Sequence, residues 1–408
     1  MHPAIEQFTV FLRLGMTSFG GPVAHVANFH HEIVRRRRWM DGPEFADTVA
    51  LCQFLPGPTS SQTCFVVGMR RAGLVGGVAA WAGFTAPSAV AMGIAGWWLA
   101  DGAAVAVAGW LAGLRAFAVA IVLQAVVQMS RTLAPTRRHL ALAAGAMLAL
   151  LASSRLGLPG WLAAAVQPAA LAAGALIGAR AFRHGAGGSG GRDDAPERSA
   201  RFHLPRSLSA LATLAFVGLL GLTLLSEGAP RMLQAVAVAY RIGALVFGGG
   251  HVVLPLAEQP FVQNGWMTQD AVLSGYALVQ AMPGPLFTLA SYMGAAMQVG
   301  TSPPAAAACA ALLVTAICLP GLLLVLAALP MWHRMRDAPG MGAAMQGVGC
   351  AVLGMLAAAL IANVLPAGVT GPGSGVIAAV CAAALFTGRV PVPLLAALAA
   401  AAGHLLLG

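Results

Sequence analysis

Long apolar stretches separated by short polar turns run through almost the whole chain. In the first half they cover roughly 4–30, 45–68, 73–100, 103–130, 140–154 and 160–180. Between 183 and 206 the pattern collapses into Arg, Gly, Ser and Asp, a composition that predicts a flexible, solvated linker. Apolar segments resume at 207–226 and then at about 232–253, 269–297, 303–330, 341–365, 374–387 and 391–407. Runs of this length and apolarity read as helices in a bilayer. Six segments match six, and 207–226 has no partner. An unpaired crossing between two halves with an even number of crossings turns the second half over. The expected fold is therefore an all-α polytopic membrane protein with two homologous, inverted-topology halves. Each half has about six apolar segments, including broken or re-entrant helices, and one extra transmembrane helix links them. The expected units are a first repeat at 1–182, a cytoplasmic linker at 183–206, a linking helix at 207–226 and a second repeat at 227–408.

The homology of the halves is written in their breaks. Phe19-Gly20-Gly21-Pro22 is followed by Gln53-Phe54-Leu55-Pro56-Gly57-Pro58, and the same order returns as Phe247-Gly248-Gly249-Gly250 and Gln280-Ala281-Met282-Pro283-Gly284-Pro285. Arg13 and Arg241 are 228 residues apart, as are Phe19 and Phe247; Trp39 and Trp266, Gln53 and Gln280, and Pro56 and Pro283 are 227 apart. Gly and Pro inside apolar segments break helices and free backbone polar groups. At membrane depth such groups survive only in protein or beside a wet cavity. Duplicated broken helices are the sequence mark of a transporter's central site, although Gly also serves as a close-packing residue between membrane helices.

Charge refines the topology. The formal net charge is +10, which in a soluble chain would suggest nucleic acid, but every basic residue is Arg and most lie between apolar segments. They read as orientation signals and give no reason to expect nucleic-acid binding. If the first two segments of each half dip in and return on one side, Arg35-Arg36-Arg37-Arg38 joins the linker side, giving 18 arginines inside against 2 outside. Residues 1–30 lack a basic stretch before an apolar run, so they read as part of the mature fold. The six cysteines, Cys52, Cys64, Cys309, Cys318, Cys350 and Cys381, show no metal or redox spacing and read as small core residues. Asp41 with Glu44, and Thr268, read as helix starts next to interfacial Trp39 and Trp266.

The candidate chemistry is anion binding. Arg13 and Arg241 are matched charges in apolar segments, and Arg offers a planar fork suited to an oxyanion, unless it snorkels to an interface. Helices restarting after Gly20, Gly21, Pro56, Gly57, Pro58, Gly248, Gly249, Pro283, Gly284 and Pro285 would present free N–H groups and positive dipole ends. Thr17, Ser18, Gln53, Ser60, Gln62 and Gln280 could add hydroxyl and amide groups, and His25 and His251 could carry a coupled proton. Metal-ligand clusters, phosphate loops and nucleophile–base spacings are not found in the sequence, so neither cofactor, metal nor enzymatic reaction is expected.

Phe19 to His25, Trp39, Gln53 to Pro58, Gln62 and Gly83-Phe84-Thr85-Ala86-Pro87-Ser88 resemble the signature of the chromate ion transporter family, over essentially the full length and in its long two-domain form. The resemblance implies a multi-pass bacterial inner-membrane protein that exports chromate and confers chromate resistance, with sulfate as the structural analogue and sulfate transport, including uptake, as the alternative. The partners it implies are the oxyanion and membrane lipid. A coupled proton, a counter-anion and a homodimer stay open. The second half departs from the signature, with Gly250 where the first has Pro22 and with His251 one residue out of register with His25.

Overall fold

The computed structural model describes the chain except for Met1, Gly20, residues 101–106, 157–159, 183–203, Glu227, Gly248, Gly249, 298–301, Asp337, Pro339 and Gly408. The expected linker thus lies outside the described residues, apart from 204–206. Every regular element among the described residues is helical.

The first half opens with helices too short to cross a bilayer. α1 (Pro3–Thr17), α2 (Gly21–Phe29), which runs on through the π turns His30–Arg36, and α3 (Gly42–Phe54) have 15, 9 and 13 residues. At ~1.5 Å per residue they reach about 22, 14 and 20 Å, against ~30 Å of hydrocarbon. α4 (Thr59–Trp98) is long, but the backbone reverses at Ala72 (φ −140°) and Gly73 (φ 64°). Gly68 lies against Gly76 and Ala80, and Gly77 against Phe65, so α4 consists of two antiparallel limbs, 59–71 and 74–98. The reversal falls between the apolar segments expected at 45–68 and 73–100.

Ion pairs show that the breaks fold the chain back on itself. Glu6, in the first turn of α1, accepts from Arg37 after α2 and from Arg71 at the end of the first limb of α4, both at 3.1 Å. Arg70 pairs with Glu44 in the first turn of α3. The outer ends of α1, α2, α3 and the first limb of α4 therefore meet at one end of the molecule, as two re-entrant hairpins require. Asp41 caps α3 by accepting from the Glu44 N–H at 2.7 Å. The Glu44 carboxylate goes to Arg70.

The second half repeats this plan. α5 (Ala108–Leu133), α6 (Arg137–Arg155) and α7 (Gly160–Ala181) complete the first half, and α8 (Arg206–Leu224) links the two. Then α9 (Arg231–Leu245), α10 (Val253–Gln263), α11 (Gln269–Ala281), α12 (Leu289–Ala296) and α13 (Pro303–Ala328) match α1 to α4, and Gly275 lies against the Tyr292 ring as in a hairpin. After the short α14 (Trp332–Arg336) come α15 (Met341–Ala359), which continues through the π turn Leu360–Val364 and α16 (Leu365–Gly368), then α17 (Pro372–Thr387) and α18 (Val392–Leu407).

The second half is upside down relative to the first. The second limb of α4 runs away from the Glu6–Arg71 end, and along it Ser88 approaches Gly284, the Ala89 carbonyl accepts from Ser291 at 2.6 Å and Gly96 abuts Tyr292. Residues 284–292 therefore head for the opposite end, where Asp270 of α11 pairs with Arg115 of α5. α13 returns to the first end, where Trp332 donates to Asp47 at 2.9 Å.

Small residues let the backbones approach, as is usual between membrane helices. Gly15 and Gly83 seat α1 against the second limb of α4. Each half then clasps the other. Gly174 and Gly178 of α7 meet Gly347 and Ala343 of α15, while Ala399 and Gly403 of α18 meet Gly113 and Gly109 of α5. Ala108–Leu133, Arg206–Leu224, Pro303–Met331 and Met341–Gly368 are long and apolar enough to cross a membrane. α8 is the most lipid-like of these, with Leu211, Leu214, Val217 and Leu222 exposed.

Candidate functional site

The breaks correspond between the halves position by position. α1 ends at Thr17 and α9 at Leu245, and the capping residues Ser18 and Val246 are both extended. α3 ends at Phe54 and α11 at Ala281, with Leu55 (φ −83°, ψ 149°) and Met282 (φ −88°, ψ 148°) leaving the helix in the same conformation. Gly57 (φ 122°) and Gly284 (φ 101°) then adopt backbone angles that disfavour any side chain. Each glycine is tied to the other half. Gly57 donates its N–H to the Val246 carbonyl at 2.7 Å, and Gly284 donates to the Ser18 carbonyl at 2.9 Å. The freed backbone groups of one break thus satisfy those of the other, which is how non-helical chain is accommodated at membrane depth.

Between the crossed breaks lies a cavity of ≈ 10 Å³, lined by Pro22, His25, Thr59, Ser60, Gly250 and Leu286 among others. A volume near 10–15 Å³ holds about one water, so the space is too small for a tetrahedral oxyanion in this conformation. Its walls carry groups that can donate hydrogen bonds. The first turns of α2 and α4 open onto it, and first-turn N–H groups have no intrahelical acceptor. His25 is 1% exposed and packs edge-on against Phe84 at 5.3 Å between centroids. Its Nδ1 is hydrogen-bonded to Ser60 Oγ at 3.0 Å, and the Ser18 backbone also bears on the ring, while its buried Nε2 makes no hydrogen bond of good geometry among the described residues. The buried Ser61 hydroxyl lies near the Cys318 thiol and likewise makes no hydrogen bond of good geometry among the described residues.

Other candidate residues hold the breaks in place. Gln62 donates from Nε2 to the Pro56 carbonyl at 2.8 Å and to the Gly321 carbonyl at 3.1 Å, stapling the first break to α13. His251 is hydrogen-bonded to the Tyr276 hydroxyl at 3.0 Å and to Gln280 at 3.1 Å, off the cavity wall. Pro56 and Pro283 shape the turns, whereas Pro58 and Pro285 reach the cavity. Gly20, Gly248 and Gly249 lie outside the described residues.

Arg13 does not reach the central cavity. It is exposed on α1 and lines a separate cavity of ≈ 310 Å³ with Thr17, Asn28, His31 and Glu32. The reason is helical phase. Phe11, Leu14 and Gly15 occupy the face that packs on α4, so residue 13 points the other way. Arg241 is half-buried on α9, away from the central cavity's lining. Gln53 is exposed at the end of α3, and Thr17 bonds the Arg13 carbonyl at 2.9 Å. Asn28 bridges Arg13's cavity to the break by donating to Ser18 Oγ at 3.2 Å. At its outer rim, burial raises the Glu32 carboxyl, but hydrogen bonds from Arg37 and Arg36 outweigh it and hold the group below its ordinary value. Gly250, Leu286 and Phe287 are wall residues that sequence reasoning did not select. The positions following each Pro-Gly-Pro were the available signal. Among the described residues no group of His, Cys, Asp and Glu could hold a metal ion.

The comparisons agree with this arrangement. The family model described as Chromate transporter matches residues 5–179 and again 233–404, one match per half. A chromate transport protein of Pseudomonas aeruginosa is 28% identical over 298 residues, 71% of this chain and 65% of that protein, so the match spans just under two thirds of the relative. A probable chromate transport protein of Synechococcus elongatus is 25% identical over 371 residues, covering 88% of this chain and 85% of the relative. A chromate transport protein of Cupriavidus metallidurans is 33% identical over 87 residues, 21% of this chain and 22% of that protein. No solved structure matches the chain. Two family matches placed on two inverted halves, whose signature motifs are the crossed breaks, make this chain a multi-pass membrane protein of the chromate transporter family.

Proposed function

We propose that the chain is a secondary transporter that carries chromate out of the cytoplasm across the bacterial inner membrane, and that this export underlies chromate resistance. The observation that carries the reading is the small cavity between the reciprocally bonded breaks, with the first turns of α2 and α4, the buried His25 imidazole and the Ser60 hydroxyl on its wall. Helix N-termini bind oxyanions through N–H groups and dipoles without a full charge of their own. The buried hydroxyl and imidazole add donors that strengthen in a dry site.

Sidedness follows from the arginines. The end that gathers Arg35, Arg36, Arg37, Arg38, Arg70 and Arg71 is the cytoplasmic one by the positive-inside rule. Arg13 lines the cavity on that side and acts as the cytoplasmic collecting charge, handing the anion past Asn28 and Ser18 to the central site. Loading requires the halves to part at one side while staying closed at the other, as inverted repeats do by rocking. Sulfate is the competing cargo, because backbone N–H groups serve either dianion.

Inside-out vesicles given labelled chromate or sulfate test the proposal. Chromate uptake into such vesicles is the expected result. Sulfate flux without chromate flux would change the cargo, and flux of neither would remove the transport reading.

A further inference from the structure

A second polar cavity, of ≈ 290 Å³, lies between the halves on the side away from the Glu6–Arg71 cluster. Half one contributes Leu150 and Ser153 of α6 and Gln167 of α7, and half two contributes Glu258 of α10, Gln269 of α11 and Asn363 from the π turn after α15. It opens to solution beside exposed Gln263.

Glu258 is 3% exposed, and its Oε2 accepts from Asn363 Nδ2 at 3.1 Å. Amides complete the surroundings. Gln167 donates to Gln259 Oε1 at 3.1 Å and to the Pro255 carbonyl at 3.3 Å, and Gln269 donates to the Asn363 carbonyl at 3.0 Å. No second ionisable side chain lines the cavity among the described residues. Of the charges on the surrounding elements, Arg155 is exposed at the end of α6, Asp270 is paired with Arg115, and Arg231 donates to the Trp266 carbonyl. A buried carboxylate needs a cation or a proton. The other buried carboxylate among the described residues, Glu32, has Arg36 and Arg37. Glu258 has only neutral amides. It also lies on the helix whose preceding 3-10 turn, beginning at Gly250, forms part of the central cavity wall, roughly 13 Å away along the axis at ~1.5–2 Å per residue.

We propose that Glu258 is the proton-carrying group that couples movement of the two halves to the proton gradient. The carboxylate takes one proton from solution at its open mouth, crosses the cycle as the neutral acid, and releases that proton to the opposite side when the halves rearrange. No bond to the cargo forms or breaks. This rests on the transport reading above.

The test uses the full-length protein in inside-out vesicles, comparing chromate accumulation driven by an imposed pH gradient with chromate counterflow in its absence. Glu258→Gln should lose gradient-driven accumulation and chromate-linked proton movement but keep counterflow, while Glu258→Asp keeps both. Three outcomes would overturn the assignment: gradient-driven accumulation by Glu258→Gln at the wild-type level, loss of counterflow together with accumulation, or wild-type flux indifferent to the pH gradient. Absence of chromate flux in the wild type is the separate result that defeats the transport reading itself.

Discussion

Alanine at Gly57 would place its Cβ 2.8 Å from the Gly321 Cα and 2.9 Å from Gln62 Nε2, at a φ of +122°. Alanine at Gly284 would meet Ser88 Oγ at 2.6 Å, at a φ of +101°. Backbone strain of this kind costs about 1–3 kcal/mol before the clash is counted. Both variants should therefore show a lower unfolding temperature in detergent and little transport. Gly218→Ala is the control: nothing lies within 4 Å of the added carbon, and alanine favours the helix. Thermal unfolding of the three variants checks this, and a wild-type profile for Gly57→Ala would show the break to be less constrained than its contacts indicate. His25 makes a different prediction at the same scale. A hydrogen bond to a charged group contributes about 1.5–3 kcal/mol, so removing the donor in His25→Leu should cut chromate flux by ~10–100-fold. Arg13→Gln should lower flux at low chromate more than at saturation, because on the proposed reading the residue collects the anion outside the central site. A uniform loss at all concentrations would place Arg13 in the rate-determining binding step instead.

At the scale of elements, the re-entrant hairpins account for helices too short to span. Their ends are joined by Glu6 with Arg37 and Arg71, and by Glu44 with Arg70. Single cysteines at positions 36 and 70 should thus label from the same, cytoplasmic face, and labelling from opposite faces would make α3 and the first limb of α4 one continuous crossing. The same network predicts a response to acid. Glu32 is held below its ordinary value by Arg36 and Arg37, so the stability it contributes is complete above the unfolded-state value. That stability is lost as pH falls through the lower folded-state value. Thermal stability of the detergent-solubilised protein should drop in this acid window, and Glu32→Gln should flatten the drop while lowering stability at neutral pH.

At the scale of the molecule, the two halves cannot be separated into independent folds. α7 packs on α15, α18 packs on α5, and the Gly57–Val246 and Gly284–Ser18 hydrogen bonds cross between the breaks. Any opening toward one side must loosen one set of these contacts while preserving the other. The cavity at the crossing has a volume near that of one water, so on the proposed reading an oxyanion would enter only with movement of the halves.

The sequence alone determined the repeat, the helix breaks and the inversion. Gly and Pro act through backbone conformation, and arginine through membrane sidedness, and both are local properties that periodicity and composition carry directly. Thr17 and Leu245 end their helices in register because Phe19-Gly20-Gly21 and Phe247-Gly248-Gly249 are in register. The tertiary structure decided which residues face the cavity. Arg13 was matched with Arg241 by spacing, yet the packing of Phe11 and Gly15 on α4 turns it outward into a different cavity. Gln62 looked like a ligand and instead staples the break to α13, 259 positions along the chain. Thr59 joins the wall, and Glu258 gains its isolation, only because elements distant in sequence close around them. Where a chain breaks is set by its own residues. What a side chain then faces is set by the residues brought to it from elsewhere.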